Sequence, residues 1–184
     1  VLITVDNTAG LVGHWKFDET SGTTAVDSAE GNNNGTLQGG AVFVTDPTRN
    51  QVLQTSGPGD FVAVSPVVDL GSSWTITSWF KGLTNTGTWR TLTRGQGGDH
   101  QIIVAANGLL GSYDNVGGTG FQSSGFNMNG LSGGWHHVAA VSGSSTVFYI
   151  DGVQVGTIVF QSTSDVHTLG NYIGGNQRFA DRVD

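Results

Sequence analysis

Apolar and polar positions alternate with a period of two through most of the chain. The clearest case is Gly133–Gly156, GGWHHVAAVSGSSTVFYIDGVQVG. There Val138, Ala140, Phe148 and Ile150 share one face, and the residues between them share the other. Successive side chains of a strand point to opposite faces, so this pattern predicts paired strands. Asp151-Gly152 supplies a turn that tolerates positive φ, the signature of a tight hairpin.

The same reading carries along the chain. Val1–Val5, VLITV, is predicted as a short strand or the end of a linker. Leu11–Phe17 is the first strand of the domain proper, and Asp18–Asn34 is polar loop sequence. Short strands are predicted at Ala41–Val44, Gln51–Thr55 and Phe61–Val64. Trp74–Lys81, WTITSWFK, gives the longest signal, with Trp74, Ile76, Ser78 and Phe80 on one face. A strand over Trp89–Arg94 precedes a hairpin over His100–Tyr113, turned at Asn107-Gly108. Asp114–Gly134 reads mostly as loop, with one strand near Phe121–Phe126, and Val166–Ile173 is the last strand. About a dozen short strands without a helical stretch argue for a sandwich or barrel. Two antiparallel sheets would each bury one face of their strands.

Composition supports this picture. The chain carries 30 Gly but only 11% charged residues, a mixture suited to strands and tight turns. Five Trp and nine Phe supply large buried surface, which excludes a disordered chain. The net charge is −7 with only seven Lys and Arg, so no cationic cluster exists for phosphate. Nucleic acid is excluded as a partner, and an anionic membrane surface is disfavoured. Neutral ligands such as sugars, and metal cations, remain the natural partners. No run is long enough to span a membrane as a helix. Cysteine is absent, which removes disulfides, thiolate catalysis and Cys-ligated zinc. The chain starts at Val1 and has its one Met at Met128, which reads as a processed product or a piece of a longer protein. Such a Gly-, Ser-, Thr- and Asn-rich β chain reads as a secreted or cell-surface bacterial module.

Five fragments, in order, then resemble a known family. Gly10–Glu19 (GLVGHWKFDE) with Gly22-Thr23, the loop Asp27 to Leu37, the strand Trp74–Lys81, the pair Trp135–Ala139 and Tyr149–Gly152, and Ile173–Gly175 with Phe179–Asp184 are similar to segments of bacterial laminin-G-like, concanavalin A-like domains. The resemblance implies an all-β, two-sheet antiparallel sandwich of jelly-roll type over residues 11–184. Residues 1–10 would be a linker or an extra strand. Such domains continue past this Asp with one more strand. Here that slot would lie outside the chain, or be filled by Val1–Val5 or a neighbouring chain.

Two candidate sites follow. Calcium wants carboxylate and carbonyl oxygens. The loop Asp27–Gly35 offers Asp27, Asn32 and Asn34, and the resemblance implies that Asp184, with Asp181 as the alternative, joins it in a structural calcium site. The plain reading of the loop is an Asx-rich turn that satisfies its own backbone. A glycan site needs an exposed aromatic ring and planar polar groups on a rigid scaffold. Arg94, Asp99, His100, Tyr113, Asn115 and Arg178 offer those groups, with Trp89, Asp114 and Asn176 nearby, and the hairpin sets His100 beside Tyr113. Taken singly, Trp89 reads as core, Arg94 as a surface ion-pair partner and His100 as a strand-end polar group. Trp15, Trp74, Trp79 and Trp135 also read as core.

Catalysis finds no support in the sequence. His136 and His137 are strand neighbours that point to opposite faces, one buried and one solvated, and cannot easily share an ion. The glucanase motif E-x-D-x-x-E is absent, since only Glu19 and Glu30 occur. No G-x-S-x-G elbow occurs either. The expected function is therefore a non-catalytic, glycan-binding module of a larger protein. A structural or adhesive module, assembled with neighbouring domains or chains, is the alternative.

Overall fold

The structure is a computed structural model that describes residues 1–5, 10–84, 87–171 and 177–184. Its strands, in chain order, are Leu2–Val5 (β1), Leu11–His14 (β2), Thr24–Ala25 (β3), Gly35–Gln38 (β4), Val42–Asp46 (β5), Asn50–Gln54 (β6), Phe61–Val68 (β7), Trp74–Lys81 (β8) and Trp89–Gly95 (β9). They continue with His100–Val104 (β10), Leu109–Asp114 (β11), Gly120–Asn127 (β12), His136–Ser142 (β13), Thr146–Ile150 (β14), Val153–Ile158 (β15), Val166–Gly170 (β16), Gln177–Arg178 (β17) and Arg182–Val183 (β18). The one helical element among the described residues is a 3-10 turn at Met128–Gly130.

Two sheets form. The first runs β15-β14-β13-β8-β18-β6-β5, with β1 also paired to β8 and β2 paired to β1. The second runs β12-β11-β10-β9-β16-β7-β4-β3, with β17 added along β9. All of these pairings are antiparallel except β17 with β9. The result is the two-sheet jelly-roll sandwich that the alternation and the resemblance imply.

Alternation decides which faces meet. On β8, Trp74, Ile76 and Phe80 point inward and are at most 1% exposed. Val138, Ala140, Phe148 and Ile150 continue that inner face across β13 and β14. Trp15, Leu92, Ile102, Leu110 and Leu169 join the same core. Two indoles also tie loops to the core: Trp15 Nε1 donates to the Asn33 carbonyl at 2.9 Å, and Trp74 Nε1 to the Ser162 carbonyl at 2.8 Å. An indole must find an acceptor when buried, so each ring fixes a loop as well as filling space.

The sequence missed some elements. The Gly35–Gln38 stretch is a full strand of the second sheet, and the loop before it contains the two-residue strand β3. The region assigned mostly to loop after Asp114 holds the eight-residue strand β12. β7 extends past the expected Val64, through Pro66, to Val68. Val1–Val5 contributes β1, between β2 and β8. Ile173–Gly175 and Asn176 lie outside the described residues.

Candidate functional site

The outer face of β9, β10 and β11 carries a cavity of about 300 Å³. Trp89, Arg94, His100, Ile103, Tyr113, Asn115 and Gln177 line it. The register explains why they converge. His100 stands directly opposite Tyr113 across β10 and β11, and Gln177 stands beside Trp89 on β9.

Aromatic rings form one wall. Trp89 meets Tyr113 edge to face with centroids 5.7 Å apart, and meets Phe121 the same way at 5.3 Å. Tyr113 in turn meets His100 edge to face at 6.0 Å. Such pairs hold rings in fixed orientation, which a recognition surface requires.

Polar groups form the floor. His100 is 2% exposed, and its Nδ1 lies 3.2 Å from the Thr91 hydroxyl. That hydroxyl also lies 3.3 Å from Gln177 Oε1, to which it donates. Burial, and secondarily the Arg94 guanidinium, push the His100 pKa down from 6.5 to about 3, so the ring is neutral. Arg94 is 7% exposed and donates to Asn171 Oδ1 at 2.6 Å. The cavity therefore offers donors, acceptors and an aromatic wall with a neutral imidazole at its base.

The structure brings Arg94, His100, Tyr113 and Asn115 to this cavity, but not Asp99 or Arg178. Asp99 lies behind it. Its Oδ1 accepts from the main-chain N–H groups of Asn115 and Val116, both at 2.9 Å, and its Oδ2 accepts from the Ser162 hydroxyl at 3.0 Å. Asp99 thus positions the loop that presents Asn115. Arg178 pairs alongside Arg90 in β17, and its neighbour Gln177 reaches the cavity instead. Trp89, read from the sequence as core, is half-buried and lines the cavity. Arg94, read from the sequence as a surface residue, is buried and lines the site.

A second aromatic surface lies on the outer face of the first sheet. Trp79 is 38% exposed there, which corrects its assignment to the core. Trp135 is also only partly buried. The Arg49 guanidinium lies 4.3 Å from the Trp79 ring centroid and 5.4 Å from that of Trp135. Larger hollows flank Arg49, at about 370 and 440 Å³. Size is outweighed by chemistry here, because the cation already stacks on the ring face a sugar would use. The two neighbouring histidines are both half-buried, unlike the one buried and one solvated ring expected. His136 contacts Asp151 Oδ2 at 2.7 Å and the Ser132 hydroxyl at 2.9 Å, while His137 packs edge-on against Trp79.

The residues proposed for calcium each take part in hydrogen bonds or ion pairs within the chain. Asp27 Oδ1 accepts from the N–H groups of His14 at 2.8 Å and Ala29 at 2.9 Å. Its Oδ2 accepts from the Asn33 backbone at 2.8 Å and the Asn33 side chain at 3.3 Å. A carboxylate has about four lone-pair sites, and these donors occupy them. Asn34 Oδ1 accepts from the Asp27 N–H at 2.9 Å, and Asn32 donates to the Glu30 carbonyl at 3.3 Å. Asp184 pairs with Arg49, and Asp181 with Arg90. Among the described residues, no group of three or more acidic or histidine side chains converges on one point.

Comparison with known proteins matches this architecture. Residues 55–184 match the family described as the concanavalin A-like lectin/glucanases superfamily. The chain belongs to this superfamily. Within solved structures, the chain is similar to domain 4 of AbnA, an extracellular arabinanase of Geobacillus stearothermophilus, in complex with arabinotriose. That likeness has 18% identity and a TM-score of 0.66, and it covers 94% of this chain and 88% of that one. The binding domain of Paraclostridial Mosquitocidal Protein 1 matches at 13% identity and a TM-score of 0.60, covering 100% of this chain and 46% of that one. Trypanosoma rangeli sialidase in complex with the inhibitor DANA matches at 12% identity and a TM-score of 0.59, covering 90% of this chain and 28% of the sialidase. No curated relative matches the sequence. At these identities the superfamily likeness speaks for the fold, and the cavity must speak for itself.

Proposed function

We propose that this domain is a non-catalytic, carbohydrate-binding module that takes a glycan into the cavity between Trp89, His100 and Tyr113. The observation that carries the reading is the coincidence of a fixed aromatic wall with a buried, neutral His100 on a rigid sheet face. A sugar presents C–H faces to aromatic rings and hydroxyls to planar polar groups, and both partners stand here. Domain 4 of AbnA, with the same fold, is described with arabinotriose, which supports an oligosaccharide as the ligand class. The carboxylates closest in sequence to the lining residues do not suit hydrolysis. Asp99 holds the Asn115 loop, and Asp114 accepts from the Thr119 hydroxyl at 2.6 Å and the Gly117 N–H at 2.5 Å. Glycoside hydrolysis needs two carboxyl groups across the scissile bond, facing the ligand.

The parent protein is expected to be secreted or cell-surface, with other domains that this module serves by holding them near a polysaccharide. A glycan array with the purified domain tests the reading. Binding to a defined oligosaccharide set, lost on Trp89→Ala, is the expected result. Absence of binding across plant, bacterial and host glycans would overturn it.

A further inference from the structure

The Trp89 cavity is lined by a cation and by no anion. Arg94 stands on β9 opposite Thr168 of β16, and its side chain borders the cavity. None of the described residues that line the cavity carries a carboxylate. The chain has 14 Asp and Glu against seven Lys and Arg, so a lining indifferent to charge would sooner hold an acid. The acids that flank the lining residues in sequence are occupied elsewhere. Asp99 accepts from the N–H groups of Asn115 and Val116 and from the Ser162 hydroxyl. Asp114 accepts from the Thr119 hydroxyl and the Gly117 N–H.

Arg94 is built into this position. It is buried and donates to Asn171 Oδ1 at 2.6 Å, which holds the guanidinium still. The planar fork of N–H donors on a guanidinium matches the edge of a carboxylate. The charge is felt inside the cavity, since the His100 pKa falls to about 3 through burial first and Arg94 second. Exposed charges farther off than about 8 Å are largely screened at physiological ionic strength, while a buried one is screened much less. At this site the local cation therefore outweighs the net charge of −7.

We propose that the cavity selects an acidic sugar, a uronic-acid residue whose carboxylate meets Arg94 while its C–H face meets the Trp89 and Tyr113 rings. This rests on the glycan reading of the cavity and names the sugar class within it. A uronic acid carries its carboxyl directly on the ring, so the stacking face and the charge are fixed relative to each other. That suits a cavity of about 300 Å³ in which the aromatic wall and the cation share one lining. One guanidinium balances one carboxylate, and a neutral sugar would set no charge opposite it. Taking a carboxylate out of water is costly, so the acid binds only where the pair with Arg94 forms, and selectivity follows from that cost.

Fragments of pectate, alginate and glucuronan test this, each offered also with its carboxyls reduced to primary alcohols. Reduction keeps the ring and removes the charge. Calorimetric titration of the full chain at neutral pH is expected to show an acid fragment binding at least tenfold more tightly than its reduced form. Trp89→Ala is expected to abolish that binding, and Arg94→Gln to bring the two forms to equal affinity. Equal or tighter binding of the reduced form, or of a neutral glycan from the array, still lost on Trp89→Ala, would overturn the acid selectivity and leave the glycan reading standing. Binding of no fragment in either form, with a blank array, would overturn both. Acid binding that survives Trp89→Ala would put the charge contact outside this cavity and also overturn the proposal. Should Arg94→Gln fail to fold, the comparison of acid with reduced fragments on wild type and Trp89→Ala decides alone.

Discussion

His100 and Tyr113 face each other across β10 and β11 as directly opposed residues, with ring centroids 6.0 Å apart. Their backbones belong to a hairpin that Asn107-Gly108 closes, and their side chains point to the solvent side of the sheet. This pair is the centre of the candidate site. One member supplies an aromatic wall and the other a buried, neutral imidazole.

Tyr113→Ala and Trp89→Ala are each expected to weaken glycan binding at least tenfold with the fold retained. An aromatic contact contributes about 0.5–1.5 kcal/mol beyond its buried area, and ten-fold in affinity is about 1.4 kcal/mol. Calorimetric titration measures the effect, and circular dichroism checks the fold. Trp79→Ala is expected to leave affinity unchanged, because Arg49 already covers that ring.

Acid should destabilise the domain in a window that His100 sets. Its folded pKa is lowered to about 3, mainly by burial, so the unfolded chain binds a proton below pH 6.5 while the folded chain resists it. The contribution is complete above pH 6.5 and is lost as pH falls toward 3. Asp46 and Asp114, held below the usual carboxylate range foremost by the hydroxyls of Thr48 and Thr119, act only in more acid solution. Between pH 7 and 5 the melting temperature of wild type is expected to fall more steeply than that of His100→Gln. Parallel slopes would contradict the burial of a neutral imidazole.

Asp99→Asn tests positioning as distinct from contact. The carboxylate holds the N–H groups of Asn115 and Val116 and the Ser162 hydroxyl. The substitution is expected to cost about 1–2 kcal/mol of stability, since bonds to a charged group are worth more than neutral ones. It is also expected to weaken glycan binding several-fold by releasing Asn115. Denaturant unfolding and titration read the two effects separately.

The Asp27 loop gives a metal prediction. Its carboxylate is filled by N–H donors, so the melting temperature is expected to be the same in millimolar calcium and in chelator. Asp27→Asn should lower it equally in both. A calcium-dependent rise that Asp27→Asn abolishes would instead establish the calcium site that the laminin-G-like resemblance implies.

Much of the fold is legible in the sequence because burial on one face forces alternation. Trp74–Lys81 reads as a strand with the correct inward face, and the hairpins over Gly133–Gly156 and His100–Tyr113 follow from turn residues. The short strands β3, β17 and β18 are not legible, since two residues carry no period and their pairing is set by distant chain. The site is half legible for a related reason. Alternation tells which residues share a face, but not whether another layer covers that face. Trp89 and Trp79 therefore read as core while both stand on outer faces. Gln177 gives no signal at all, because only its parallel pairing beside Trp89 brings it to the cavity.

The central claim is that sugar is held at Trp89, and the chain's five tryptophans make it measurable. Each indole N–H gives one signal in a nitrogen–proton correlation spectrum. Titration with an oligosaccharide that binds on the array is expected to move the Trp89 signal, while those of Trp79 and Trp135 stay in place. Movement at Trp79 or Trp135 with Trp89 unmoved would put the ligand on the opposite sheet and contradict the account.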